Sequence, residues 1–109
     1  MSPLQRSKKQ LQDRGYTVAI VEHWNPWAKI RQDLFGIFDL LAVGQGKTIG
    51  VQVTTLGHFK SHVIKMRASP HLNTVLEAGW SVELHGWRKL KSGWEAKIRT
   101  YDATDVSKD

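Results

Sequence analysis

The sequence predicts a mixed α/β domain: one sheet with helices packed on it, in the order helix, three strands, two helices, two strands. Three observations predict it. An almost unbroken apolar run over residues 34–43 precedes a Gly-Gln-Gly-Lys turn and a second apolar strand over residues 48–55. Helical segments with N-cap and proline start signals stand before the first strand and after the third. Two further β-rich segments, 80–87 and 94–101, follow the last helix.

The first helix is predicted over residues 3–14, with Ser2 as N-cap, Pro3 in the first turn, Leu4 and Leu11 as an apolar stripe and Gly15 as the stop. Arg6, Lys8, Lys9 and Arg14 crowd its polar side. Residues 16–22 are β-branched and aromatic and read as a strand. Residues 23–32 carry Pro26, two tryptophans and two cations and are expected to form a long connecting loop. The run 34–43 is expected to be one strand buried on both faces, and 48–55 its hairpin partner. Phe59, Val63 and Met66 mark a helix over 57–67, and Ser69-Pro70 starts a second that ends at Gly79. Residues 80–87 read as a strand, 88–93 as a basic turn carrying Arg88, Lys89 and Lys91, and 94–101 as a half-exposed strand. The domain is expected to span residues 1–101, with a frayed polar tail at 102–109.

The chain has 109 residues, 40% of them apolar, enough for one core. It has no cysteine, which removes disulfides and thiolate metal sites and suits a reducing compartment. No signal-like N-terminus and no apolar run of membrane-spanning length stands out, so a cytoplasmic protein is expected, with no membrane partner. A net charge of +6 favours a polyanionic partner, although a generally basic surface would give the same value.

Two polar residues interrupt the central apolar strands. Asp39 lies inside the first, where a carboxylate is costly unless it is paired, hydrogen-bonded or bound to metal. Without a metal it is a capped or salt-bridged aspartate at a strand end, with Arg31 as one candidate partner. Gln52 lies between Val51 and Val53, and strand alternation puts it on the same face as Thr54. A hairpin of this length brings Asp39 beside Gln52, and two oxygen ligands in a basic protein suggest a divalent ion held against a phosphodiester. Asp33 stands six residues before Asp39, about 20 Å away in an extended strand, so it joins them only if residues 33–36 turn. Otherwise it is a surface carboxylate beside Arg31. Glu22 ends the first strand, either beside Asp39 or as an exposed terminus.

This arrangement resembles the PD-(D/E)xK nuclease superfamily: a helix, a three-strand meander, a helix and a further strand, with an acid on the second strand and a Glu-x-Lys or Gln-x-Lys on the third. The likeness covers roughly residues 3–87, and the expected fold is therefore a restriction-endonuclease-like core. The segment from Leu34 through Gly36 to Asp39 is similar to the Gly-x-x-Asp strand of archaeal-type Holliday junction resolvases. Arg-x-Asp-Leu-Phe-Gly followed by Val-Gln-Val-Thr is similar to small phage or bacterial nuclease-like proteins. The resemblance implies Asp39 as the metal-binding acid, Gln52 at the second acid position and Val53 offering a backbone carbonyl to Mg²⁺ or Mn²⁺. Thr54 occupies the lysine position, so the cation must come from elsewhere; Lys65 is preferred to Lys60. Gln5 or Gln10 stands in for the glutamate of the family's first helix. The implied activity is hydrolysis of DNA, selective for junctions or branches and leaving 5′-phosphate ends, by a homodimer. Lys29, Arg31, Lys60, Lys65 and Arg67 are the expected phosphate contacts. Trp24 and Trp27 either stack on unpaired bases or pin their loop, whereas Trp80 and Trp87 suit packing. His58 and His62 share a helix face but have no third ligand. The unusual Gln52 and Thr54 leave a non-catalytic nucleic-acid-binding relative as the alternative, and a partner-binding domain as a third reading.

Overall fold

The computed structural model describes residues 1–106; positions 107–109 of the expected tail lie outside the described residues. Its helices are α1 (Pro3–Asp13), α2 (Phe59–Ala68) and α3 (Pro70–Glu77). Its strands are β1 (Thr17–Ile20), β2 (His23–Asn25), β3 (Ile30–Gln32), β4 (Leu40–Gly44), β5 (Lys47–Thr55), β6 (Ser81–Leu90) and β7 (Gly93–Thr100). Five strands form one mixed sheet in the order β1-β4-β5-β6-β7, and β2 and β3 form a separate antiparallel pair. Among the described strands only β5 and β6 run parallel, joined by a crossover through α2 and α3. Among the described residues no helix is long and apolar enough to cross a membrane.

The central strands of the sheet are covered on both faces. Leu11 of α1 packs on Leu40, Ala42, Ile49 and Val51. Phe59 and Met66 of α2 and Leu72 and Val75 of α3 pack with Phe38, Val82 and Leu84 on the other side. Because side chains alternate along a strand, Gly50 and Gln52 face α2 and α3, while Ile49 and Val51 face α1. The β4–β5 turn has left-handed backbone at Gln45 (φ 53°) and Gly46 (φ 74°), the two-residue hairpin geometry that fits strand twist. Ser2 caps α1 by accepting from the Gln5 N–H at 3.2 Å.

Four expectations need correction. Residues 34–43 are not one strand, since β4 begins only at Leu40. Phe35 (φ 56°) and Gly36 (φ 74°) are left-handed and reverse the chain, closed by Leu34 N–H donating to Phe38 C=O at 2.9 Å. The apolar run signified burial, and Ile37 and Phe38 achieve that burial from a turn. Residues 23–32 are not a plain loop, because they pair as the β2–β3 hairpin. The basic turn at 88–93 is shorter than expected, because β6 runs to Leu90 and Arg88 bonds Glu95 across the ladder at 2.9 Å. Residues 102–106 are not frayed: Asp102 and Asp105 form a capping box around a short 3-10 turn, and Arg99 holds Asp105 at 2.8 Å.

Candidate metal centre

Asp39 immediately precedes β4, and its backbone is tied on both sides. Its N–H donates to Val51 C=O at 2.8 Å, and its C=O accepts from Val21 N–H at 2.8 Å. This continues the β4–β5 register by one step and sets Asp39 beside Gln52. Asp39 Oδ2 accepts from Gln52 Nε2 at 2.9 Å and from the Val53 N–H at 2.8 Å. The turn through Phe35 and Gly36 folds Asp33 back onto Asp39, and Glu22 approaches from the end of β1. One carboxylate oxygen from each of Glu22, Asp33 and Asp39 lies within 4.8 Å of the others.

Asp39 is buried, while Glu22 and Asp33 are half-buried. Burial pushes the Asp39 carboxyl up from its ordinary 3.8 to about 8, against the pull of the Val53 N–H, and the charges of Asp33 and Glu22 push it the same way. A cation among these oxygens removes both penalties. The three oxygens could hold one metal ion, whose bonds of about 2.1 Å would place neighbouring ligands about 3 Å apart. An all-oxygen, anionic donor set suits a hard divalent ion.

The other residues singled out by sequence fall in distinct places. Lys65, on α2, brings its Nζ to 4.0 Å from Asp33 Oδ2, and Arg31, on β3, sits 3.3 Å from Glu22 Oε1. Both line a cleft of about 610 Å³ with Asp33, Phe35 and Gly36. Gln52 contacts Asp39 through its amide nitrogen, an orientation that follows from the hydrogen bonding, and its Oε1 has no partner among the described residues. Val53 donates its N–H to Asp39 Oδ2 at 2.8 Å. Thr54 follows on β5, paired with Gly86. Lys60 lines a different groove, with Phe59 and Lys97. Arg67 reaches the Asp105 carbonyl at 3.5 Å, away from the cluster. Lys29 lies between β2 and β3 with φ 55°. His62 bonds the backbone carbonyl of His58 at 2.9 Å.

Sequence reasoning missed a second polar network, between α1 and β6. Trp87 Nε1 donates to Ser7 Oγ at 2.8 Å, and Ser7 Oγ lies 2.9 Å from His85 Nδ1. His85 Nε2 lies 2.8 Å from Glu83 Oε1, and Arg14 binds both Glu83 oxygens at 2.9 Å. Every donor is used if Ser7 donates to Nδ1 and His85 carries its proton on Nε2. Ser7 and His85 are fully buried, so this Ser-His-Glu order cannot meet a substrate. It locks α1 to the sheet. The available signal was Glu83 and His85 at period two within an apolar strand.

No protein-family profile matches the chain, and no curated protein matches it in sequence. The site must therefore be read from its own chemistry.

Proposed function

We propose that the chain is a metal-dependent DNA endonuclease of the PD-(D/E)xK type, with a restriction-endonuclease-like core. The observation that carries this reading is the convergence of Asp39, Asp33 and Glu22, with Lys65 beside Asp33 and both of these lining a cleft. The order helix, antiparallel three-strand meander, helices and a parallel further strand supports it. So does the net charge of +6.

Asp39, Asp33 and Glu22 would hold Mg²⁺ or Mn²⁺. A bound ion supplies Lewis acidity to a phosphodiester oxygen and a more acidic water. Gln52 and the Val53 N–H orient Asp39. Thr54 brings no charge, so Lys65 takes the role of balancing charge on the phosphorane. Arg31 and Lys29 contact flanking phosphates, and the expected 3′-oxygen leaving group gives 5′-phosphate ends. The proposed working form is a homodimer.

The test is incubation with branched, single-stranded and duplex DNA in Mg²⁺ and in Mn²⁺. Cleavage by the wild type and its loss in Asp39→Ala support the reading. Lys65→Ala should lower the rate about 10²-fold or more, the scale of losing one preorganised charge stabiliser, with the fold retained. Lys60→Ala should leave the rate unchanged. Binding without cleavage in either metal favours the second reading, a non-catalytic nucleic-acid-binding relative. The specific observation behind that alternative is that Arg31 and Lys65 already pair with two of the three acids.

A further inference from the structure

The β2–β3 hairpin carries the most exposed aromatic surface of the described chain. Trp27, between its strands, is 94% exposed, and Trp24 and Ile30 are 56% and 50% exposed. A tryptophan normally buries most of its large apolar surface, so two open indoles on one short hairpin ask for an occupant. The hairpin is also charged in one sense: residues 23–32 include Lys29 and Arg31 and no acid.

The backbone that carries the indoles is ordered. Asn25 Oδ1 accepts from the N–H groups of Trp27 and Ala28 at 3.0 and 3.1 Å, which orders the turn. Trp24 stands directly opposite Arg31 across the ladder, so indole and guanidinium share one face. Arg31 lines the cleft that contains Asp33 and Lys65. Trp24 and Arg31 therefore share one face of the hairpin, and Arg31 leads from it into the cleft that holds Asp33 of the acidic cluster. A nucleic acid offers the matching chemistry, with flat bases for the rings and phosphates for the cations.

We propose that the β2–β3 hairpin is a stacking finger for unpaired bases, which directs the neighbouring site to single-stranded or frayed nucleic acid. This rests on the nuclease reading only for what happens to the strand afterwards. Bases within a duplex are already stacked on their neighbours, so the finger discriminates by whether a base face is open.

The test is fluorescence anisotropy in EDTA with three labelled probes: a short oligothymidylate, an abasic strand of the same length, and a blunt duplex. The wild type should prefer oligothymidylate to the abasic strand. Trp27→Ala should lose about tenfold in affinity for oligothymidylate, the scale of one lost base stack. Its duplex and abasic affinities should be unchanged, and Trp27→Phe should recover most of the loss. Trp27 is too exposed for its removal to unfold the domain, and a melting curve verifies that. Equal affinity of the wild type for intact and abasic strands would overturn the proposal. So would oligothymidylate affinity that survives loss of both Trp24 and Trp27. A Trp27→Ala variant that turns a dimer into monomers in sedimentation, with single-strand affinity intact, would assign the indoles to a second copy of this chain and also overturn it. Asp39→Ala separates the two readings: tryptophan-dependent binding retained in that variant, with no cleavage by the wild type in Mg²⁺ or Mn²⁺, upholds the finger and removes the nuclease.

Discussion

Asp33 and Asp39 bring carboxylate oxygens within 4.8 Å of each other, although an extended chain would hold these residues far apart. The reversal at Phe35 and Gly36 causes this approach. Phe35 is a bulky residue with φ 56°, a conformation that costs about 1 kcal/mol or more and persists only where the surroundings impose it. Its ring lies 5.8 Å from that of His71 and 6.1 Å from that of Trp80, so α3 and the residue just before β6 hold the turn in place. Strain in the turn and crowding of the acids coincide at one spot.

The first prediction concerns pH. With its pKa raised from 3.8 to about 8, Asp39 keeps a proton in the folded, metal-free protein that the unfolded chain releases. Its contribution to stability is therefore fully present below about pH 4 and is lost as pH rises towards about 8. Urea midpoints at pH 5 and pH 8 in EDTA should show this fall in the wild type and a smaller one in Asp39→Asn. Millimolar Mg²⁺ should restore the wild type at pH 8 and leave Asp39→Asn unchanged. Equal pH slopes for the two proteins would contradict the assignment.

Glu83 should behave in the opposite sense. Burial alone would raise its pKa, but the hydrogen bonds from His85 and Arg14 and the Arg14 charge hold it at about 2, below the ordinary 4.5. The stability it contributes is present above about pH 4.5 and lost as pH falls towards 2. Glu83→Ala strands the Arg14 charge and the His85 N–H; with Arg14 partly exposed, the expected cost is about 2–3 kcal/mol at pH 7. Chemical denaturation measures it, and a loss below about 0.5 kcal/mol, the ordinary scale for a surface change, would show that the network is not structural.

Gly50 is a packing test of the same neighbourhood. A Cβ there would stand 2.6 Å from Phe38 Cε1, inside contact distance. Gly50→Ala should cost about 1–3 kcal/mol through overpacking. Because Phe38 immediately precedes Asp39, its displacement should also weaken metal binding. Calorimetric melting with and without Mn²⁺ reads both effects, and an unchanged melting temperature would contradict the close approach.

The pair Asp39 and Gln52 was legible because a two-residue turn between two apolar strands leaves little freedom in register. The position of Lys65 near the acids was legible because a helix following those strands can return a long side chain over them. The participation of Asp33 was not, because residues 34–38 have the composition of a buried strand and only the backbone at Phe35 decides otherwise. The β2–β3 hairpin escaped for a related reason: strands of three residues interrupted by Pro26 carry too short an alternation to recognise. Ser7, His85 and Glu83 lie on elements far apart in sequence, and no local pattern ties α1 to β6.

The most direct measurement is Mn²⁺ binding followed by electron paramagnetic resonance on the wild type and on Asp39→Ala, Asp33→Ala and Glu22→Ala. The expected result is one bound ion per chain in the wild type, lost in Asp39→Ala and weakened in the other two, with circular dichroism spectra superimposable throughout. An absence of Mn²⁺ binding at millimolar concentration, or binding indifferent to all three substitutions, would contradict a metal centre at this cluster.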